Sequence, residues 1–151
     1  MFGLRDKAPV LVVAAHHDDE VLGCGGTVAR LVAEGHPVHM GILGEGPVCR
    51  SDEQARNAVR QGISCDFQKA LTVLGANGLD GIAFPDNRFD AVPLLELVRQ
   101  VEDWCSQVRP ELVLTHFFGD MNIDHQVTNR AVQTACRPLP DSRERLLLAF
   151  E

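Results

Sequence analysis

The sequence predicts an α/β protein, a Rossmann-like three-layer sandwich with a mostly parallel sheet, and three observations lead there. Strand-length apolar runs alternate with stretches of helical periodicity along all 151 residues, the order that builds a sheet with helices on its faces. The first run, Val10–Ala15, is continuously apolar and rich in β-branched residues, as in a parallel strand covered on both sides. No repeat or low-complexity tract interrupts the alternation, so residues 1–151 read as one domain with one core.

Each element follows from its local pattern. A polar, glycine-rich passage separates the first strand from Thr27–Glu34, where Val28, Leu31 and Val32 keep helical spacing until Gly35, a residue suited to a left-handed helix terminus. Val38–Leu43 reads as the second strand, and Gly44–Asp52 as a loop at the sheet's edge. Ser51 or Asp52 can cap a helix that runs to Leu74 with a disturbance at Gly62, since Phe67, Ala70, Leu71 and Leu74 keep a helical period before Gly75. Gly81–Phe84 reads as a short strand and Pro85-Asp86-Asn87 as a turn. Leu94–Val108 is a long amphipathic helix closed by Arg109-Pro110. Leu112–Thr115, Asp124–Cys136 and Arg145–Phe150 follow as strand, helix and strand. The chain reaches Glu151 directly after an apolar strand, and we expect a C-terminal portion to follow in the full gene product.

Composition narrows the function. The net charge is −7 and no basic run occurs, so the electrostatic footprint for nucleic acid or anionic lipid is missing. The longest apolar stretches fall far short of a bilayer span, and Arg5, Asp6 and Lys7 precede a short apolar run unlike a signal peptide; the cytoplasm is the expected location. Five cysteines without a C-x-x-C pair argue against a disulfide framework and a cysteine zinc site. With no Tyr and one Trp, base-stacking platforms are absent too. An enzyme or a small-ligand binder remains, and a homo-oligomer is compatible with either.

Ligands of this architecture bind beyond the carboxyl ends of the strands. Directly after the first strand come His16-His17-Asp18-Asp19-Glu20, whose crowded carboxylates need an offsetting charge. A divalent cation supplies it, and imidazole plus carboxylate are ligands that zinc accepts. His116, Asp120, Asn122, Asp124 and His125 follow another strand on the same rim. Two segments brought together by a parallel sheet can supply three ligands and leave a fourth position for water, the layout of a hydrolytic metal site.

Ala15-His16-His17-Asp18-Asp19-Glu20 resembles the Ala-His-Pro-Asp-Asp-Glu signature of the LmbE-like, or PIG-L, zinc-dependent N-deacetylases, and Asn122-Ile123-Asp124-His125 resembles their His-x-Asp-His signature. The likeness extends through Gly23–Thr27, Leu74-Gly75, Phe84-Pro85-Asp86, Thr115-His116 and Phe150-Glu151, in the family's order. It implies removal of acetyl from an N-acetylated sugar or glycoconjugate of the N-acetylglucosamine type. It also implies His16, Asp19 and His125 as metal ligands, and zinc as the ion; iron(II) is the other ion that two His and a carboxylate suit. By the same resemblance, Asp18 is the general base that takes a proton from the attacking water. Two positions depart from the pattern. His17 stands for the usual Pro, and Asn122 for the first His of the second signature, a change that leaves a hydrogen-bond donor but no proton donor at neutral pH. We therefore keep Asn122 as a substrate contact and expect His116 to protonate the leaving amine, with Asp124 orienting it or a ligand His. His17 is the rival for that acid role.

Plainer readings stand beside these. The first cluster also suits a solvated turn with an Asp capping the next helix. Gly23-Cys24-Gly25-Gly26 lacks the spacing of a phosphate loop and a Walker lysine, so close helix packing explains it better. Arg50 and Arg88, on loops expected to face the rim, are read either as substrate contacts or as ordinary polar loop residues. The functional alternative is a non-catalytic α/β domain that binds a nucleotide or metabolite.

Overall fold

Every strand pair among the described residues is parallel. In the computed structural model, which describes residues 2–46, 53–138 and 144–151, the strands are β1 (Val10–Ala14), β2 (Val38–Ile42), β3 (Asn77–Gly78), β4 (Leu112–His116) and β5 (Leu146–Phe150), in the spatial order β3-β2-β1-β4-β5. The helices are α1 (Asp19–Ala33), α2 (Glu53–Leu74), α3 (Leu94–Val108) and α4 (Ile123–Ala135), with a 3-10 turn at Phe89–Ala91. The expected α/β sandwich is present. Alternation along β1 divides its core: Val10 and Val12 pack with Val28, Leu31 and Leu71 from α1 and α2, while Leu11 and Val13 pack with Leu97, Val101, Trp104 and Val132 from α3 and α4. Both faces of the strand are dry, which is why its sequence shows no polar alternation. No helix among the described residues is long and apolar enough to cross a membrane.

Three expectations need correction. Helix α1 begins at Asp19, well ahead of Thr27, so Gly23–Gly26 are helical. A side chain at Gly23 would collide with the Phe150 ring on β5, so this glycine lets α1 approach the sheet, in line with the close-packing reading. The short strand lies at Asn77–Gly78, not Gly81–Phe84. Gly81 is pressed against Trp104 and Gln100, and the Ile82 N–H donates to the Gln100 side chain at 2.7 Å, leaving Phe84 a single bridge to Gly44. Finally, α2 runs through Gly62 without interruption. The proposed caps Ser51 and Asp52 lie outside the described residues.

The sheet order reverses direction between β1 and β4: the chain moves outward from β1 to β2 and β3, then returns to add β4 and β5 on the other side. Such a switch point leaves a crevice at the carboxyl ends of the two central strands. Both polar clusters start there, one after Ala14 and one at His116.

Candidate metal and catalytic site

Two loops leaving adjacent parallel strands bring the clusters into contact. The Ala15 N–H donates to His116 Nε2 at 2.9 Å, which ties the end of β1 to the end of β4. The chain then turns sharply: Asp18 has φ 99°, its carbonyl accepts the N–H groups of Val21 and Leu22 at 3.0 and 2.9 Å, and its own N–H donates to Glu20 Oε2 at 3.0 Å. Glu20 is buried, and burial raises its pKa above the usual carboxylate range. Asp18 itself faces outward and is exposed. Asp19 turns inward, where its Oδ2 accepts the His16 N–H at 2.8 Å.

Asp19 Oδ2 is the point on which the imidazoles converge. It lies 3.4 Å from His16 Nδ1, 3.3 Å from His125 Nε2 and 3.4 Å from His116 Nε2. The remaining nitrogens of the first two rings are held from behind. His16 Nε2 meets Asp124 Oδ2 at 3.0 Å and Asp86 Oδ1 at 2.9 Å; His125 Nδ1 meets Asp120 Oδ2 at 2.8 Å. These second carboxylates are themselves anchored. Asp124, fully buried, accepts the Phe89 N–H at 2.9 Å through Oδ1, and Asp120 Oδ1 accepts the Asn122 N–H at 2.8 Å. In each ring, once it is neutral, a proton shared with the rear carboxylate leaves the forward nitrogen as a lone pair.

His16 Nδ1, Asp19 Oδ2 and His125 Nε2 therefore offer three donor atoms within 4.8 Å of one another. Ligands about 2.0–2.2 Å from a shared tetrahedral ion lie about 3.3–3.6 Å apart, and the two separations to Asp19 fit that span. The donor set, two imidazoles and a carboxylate, suits zinc or iron(II). Two other acid and His groupings occur: in His116 with Asp120 and His125, His116 Nε2 accepts the Ala15 N–H, and in His16 with Asp86 and Asp124, both carboxylates meet the one nitrogen His16 Nε2. The electrostatics agree with a place for positive charge. Burial alone would lower the pKa of His16, but its hydrogen bonds with Asp19 and Asp124 and the charge of Asp86 outweigh that and raise it to about 9.

The other predicted residues divide. His116 is within reach of the cluster but is only 2% exposed; it stacks on His125 at 3.9 Å between ring centroids and touches Phe150. Burial, then the neighbouring His125, depresses its pKa to about 4. With Nε2 accepting a backbone N–H, this ring is neutral, which argues against the expected acid role. Asp124 backs His16 rather than His116. Asn122 caps α4, its side chain accepting the Asp124 N–H at 2.9 Å, so its oxygen faces the helix. The cap engages that oxygen and leaves the amide NH2, the donor on which the expected substrate contact rests. The His17 ring meets Phe67 edge-on at 5.3 Å, with Nδ1 buried and without a hydrogen-bond partner. Arg88 is exposed just before the 3-10 turn, and Arg50 lies outside the described residues. Sequence reasoning gave no role to Asp86, Asp120 or Glu20. The Phe84-Pro85-Asp86 string and the density of acids around both histidine pairs were the available signals.

The PIG-L model, described as GlcNAc-PI de-N-acetylase, matches residues 11–136. A probable N-acetyl-alpha-D-glucosaminyl L-malate deacetylase from Bacillus anthracis is 23% identical over 93% of this chain and 64% of its own. The N,N'-diacetylchitobiose deacetylase of Pyrococcus horikoshii has the same fold, with a TM-score of 0.79 at 17% identity over 96% of this chain and 61% of that one. So has the 4-carboxy-2-hydroxymuconate hydratase of Pseudomonas putida KT2440, with a TM-score of 0.77 at 24% identity over 95% and 65%. The chain spans less than two thirds of the length of each of these three proteins. The family match covers both polar clusters and the central strands that lead to them, and the chain belongs to the PIG-L family.

Proposed function

We propose that the protein is a metal-dependent N-deacetylase that hydrolyses the acetamide of an N-acetylglucosamine-type sugar or glycoconjugate. The observation that carries this reading is the pair of imidazoles converging on Asp19, each backed by its own carboxylate. His16, Asp19 and His125 would hold one divalent ion, with zinc preferred and iron(II) also suited to the set. Such an ion, when bound, polarises a carbonyl and lowers the pKa of water. The family and the sugar substrates named for two of the relatives above support the substrate class.

The chain's own residues then divide the work. Asp18, exposed and next in sequence to a ligand, takes the proton of the attacking water. Because His116 is buried and neutral and Asn122 caps a helix, Asp18 also returns that proton to the leaving nitrogen. One carboxylate thus serves as base and then as acid. Asp124 and Asp86 fix His16, Asp120 fixes His125, and His116 packs under His125 while tying β1 to β4.

The test is to load the protein with zinc or iron(II) and measure acetate released from N-acetylglucosamine, its oligosaccharides and its conjugates. Release that a chelator abolishes supports the reading. Binding of these sugars without acetate release leaves the non-catalytic binder. The shared fold of the hydratase makes hydration of an unsaturated tricarboxylate the necessary control, and activity there alone would replace the proposal.

A further inference from the structure

Helices α3 and α4 bring two thiols together. Cys105 lies on α3 and Cys136 ends α4; both are buried, and their sulfurs are 3.8 Å apart. A disulfide needs about 2.05 Å, so the sulfurs must close by about 1.8 Å. Cys136 can supply that movement, because it stands at the end of its helix. It also lines a groove of about 350 Å³ with Asn129, Gln133, Arg137 and Leu147, which gives a small oxidant access to one member of the pair.

The two thiols are chemically unequal. The Arg145 guanidinium lies beside Cys136, with its Nε buried and without a hydrogen-bond partner. The thiol hydrogen bond from Cys105, aided by the charge of Arg145, outweighs burial and lowers the pKa of Cys136. The same hydrogen bond raises that of Cys105. Cys24, by contrast, is pushed up to about 12 by burial and by the charge of Glu20.

We propose that Cys105 and Cys136 are a redox-active dithiol, which a hydroperoxide converts to a reversible disulfide that staples α3 to α4. The Cys136 thiolate attacks the O–O bond, giving a sulfenic acid and releasing the other oxygen as an alcohol or, from hydrogen peroxide, as water. The Cys105 sulfur then attacks the sulfenic sulfur, forms the S–S bond and expels the remaining oxygen as water. The thiols lose two electrons to the peroxide, and their two protons end on the released oxygens. An added thiol reverses the bond by exchange. The chain between the two cysteines holds β4, His116, Asp120, Asp124 and His125. The disulfide therefore closes a loop around the second polar cluster and restricts its unfolded state, whatever reaction the histidine site performs.

The test treats the full chain carrying Cys49→Ser and Cys65→Ser with hydrogen peroxide, so that neither of those thiols competes. A linked Cys105–Cys136 peptide is expected in the digest, with the melting temperature raised by about 10 °C and both effects reversed by dithiothreitol. Cys105→Ala should leave a sulfenic acid at Cys136, trapped by dimedone, and no gain in melting temperature. Cys136→Ala should leave Cys105 untrapped. Absence of the linked peptide, a link that forms only in urea, or a melting temperature that does not rise would overturn the proposal, and trapping at Cys105 would overturn the order of attack. The link and its thermal shift are read with both sulfurs intact, so they stay decisive even where an alanine variant folds poorly.

Discussion

Asp120→Asn is the sharpest perturbation the site allows, because it keeps shape and removes one acceptor. Asp120 uses both oxygens: Oδ2 on His125 Nδ1 at 2.8 Å and Oδ1 on the Asn122 N–H at 2.8 Å. An asparagine has one acceptor and must choose. If it keeps the backbone contact, its NH2 faces His125 Nδ1 and favours the tautomer that carries the proton on Nε2, the atom turned toward Asp19. The metal must then displace that proton and restore the other tautomer against an unfavourable amide contact. Losing such a rear partner costs about 10- to 100-fold in metal affinity, or about 1.4–2.7 kcal/mol. Competition with a chromophoric chelator measures the zinc Kd, and the nitrogen chemical shifts of His125 report the tautomer. A Kd within twofold of wild type, with Nδ1 of His125 still protonated, would refute the reasoning.

Three further outcomes are expected. Asp18→Asn should lower acetate release by about 100- to 10,000-fold with zinc content unchanged; an unaltered rate would place the base elsewhere. His116→Ala should cost about 2–4 kcal/mol in urea unfolding, since the Ala15 N–H loses its acceptor and the ring leaves a void, and a loss below about 1 kcal/mol would deny it a structural role. Chelator-treated protein should lose stability through His16 as pH rises. Its folded pKa of about 9 lies above the ordinary 6.5, so this contribution is complete below about 6.5 and vanishes as pH passes about 9. Zinc affinity should move the opposite way over the same window, because the metal competes with that proton. A melting temperature that rises from pH 6.5 to 9 in the chelated protein would contradict the cluster's charge balance.

The elements that sequence pattern located well are those whose pattern has one physical cause. Val10–Ala15 is apolar because helices cover both faces of the central strand, and the period of Leu94–Val108 reports one buried helix face. The misplacements came from positions where packing overrides local preference. Gly23–Gly26 looked like a loop because glycine disfavours helices, yet the helix forms and uses Gly23 to clear Phe150. Gly81–Phe84 looked like a strand, yet Trp104 and Gln100 take its space and its backbone donor. At the site, the residue types and strand-end placement were legible. The assignment of rear partners was not, since Asp86, Asp120 and Asp124 are equivalent in one dimension and differ only in which nitrogen they meet.

The same limit explains His116. Its position at the end of β4 was readable, and a histidine at a strand end beside an acidic cluster invites a proton-transfer role. Whether it holds a proton depends on burial and on the backbone N–H of Ala15, a residue 101 positions away in sequence. The three consecutive acids show the converse, because their different tasks arise from one local turn. The left-handed backbone at Asp18, which costs a non-glycine residue about 1–3 kcal/mol, sends neighbouring side chains in different directions: Asp18 to solvent, Asp19 to the imidazoles, Glu20 into the core. Glu20, 2% exposed, accepts the Asp18 N–H and holds the turn that separates them. A solvated capping turn would have no use for a buried carboxylate beneath it. The strain at Asp18 and the brace at Glu20 are therefore the features that set this loop apart from the plain helix cap its composition also allowed.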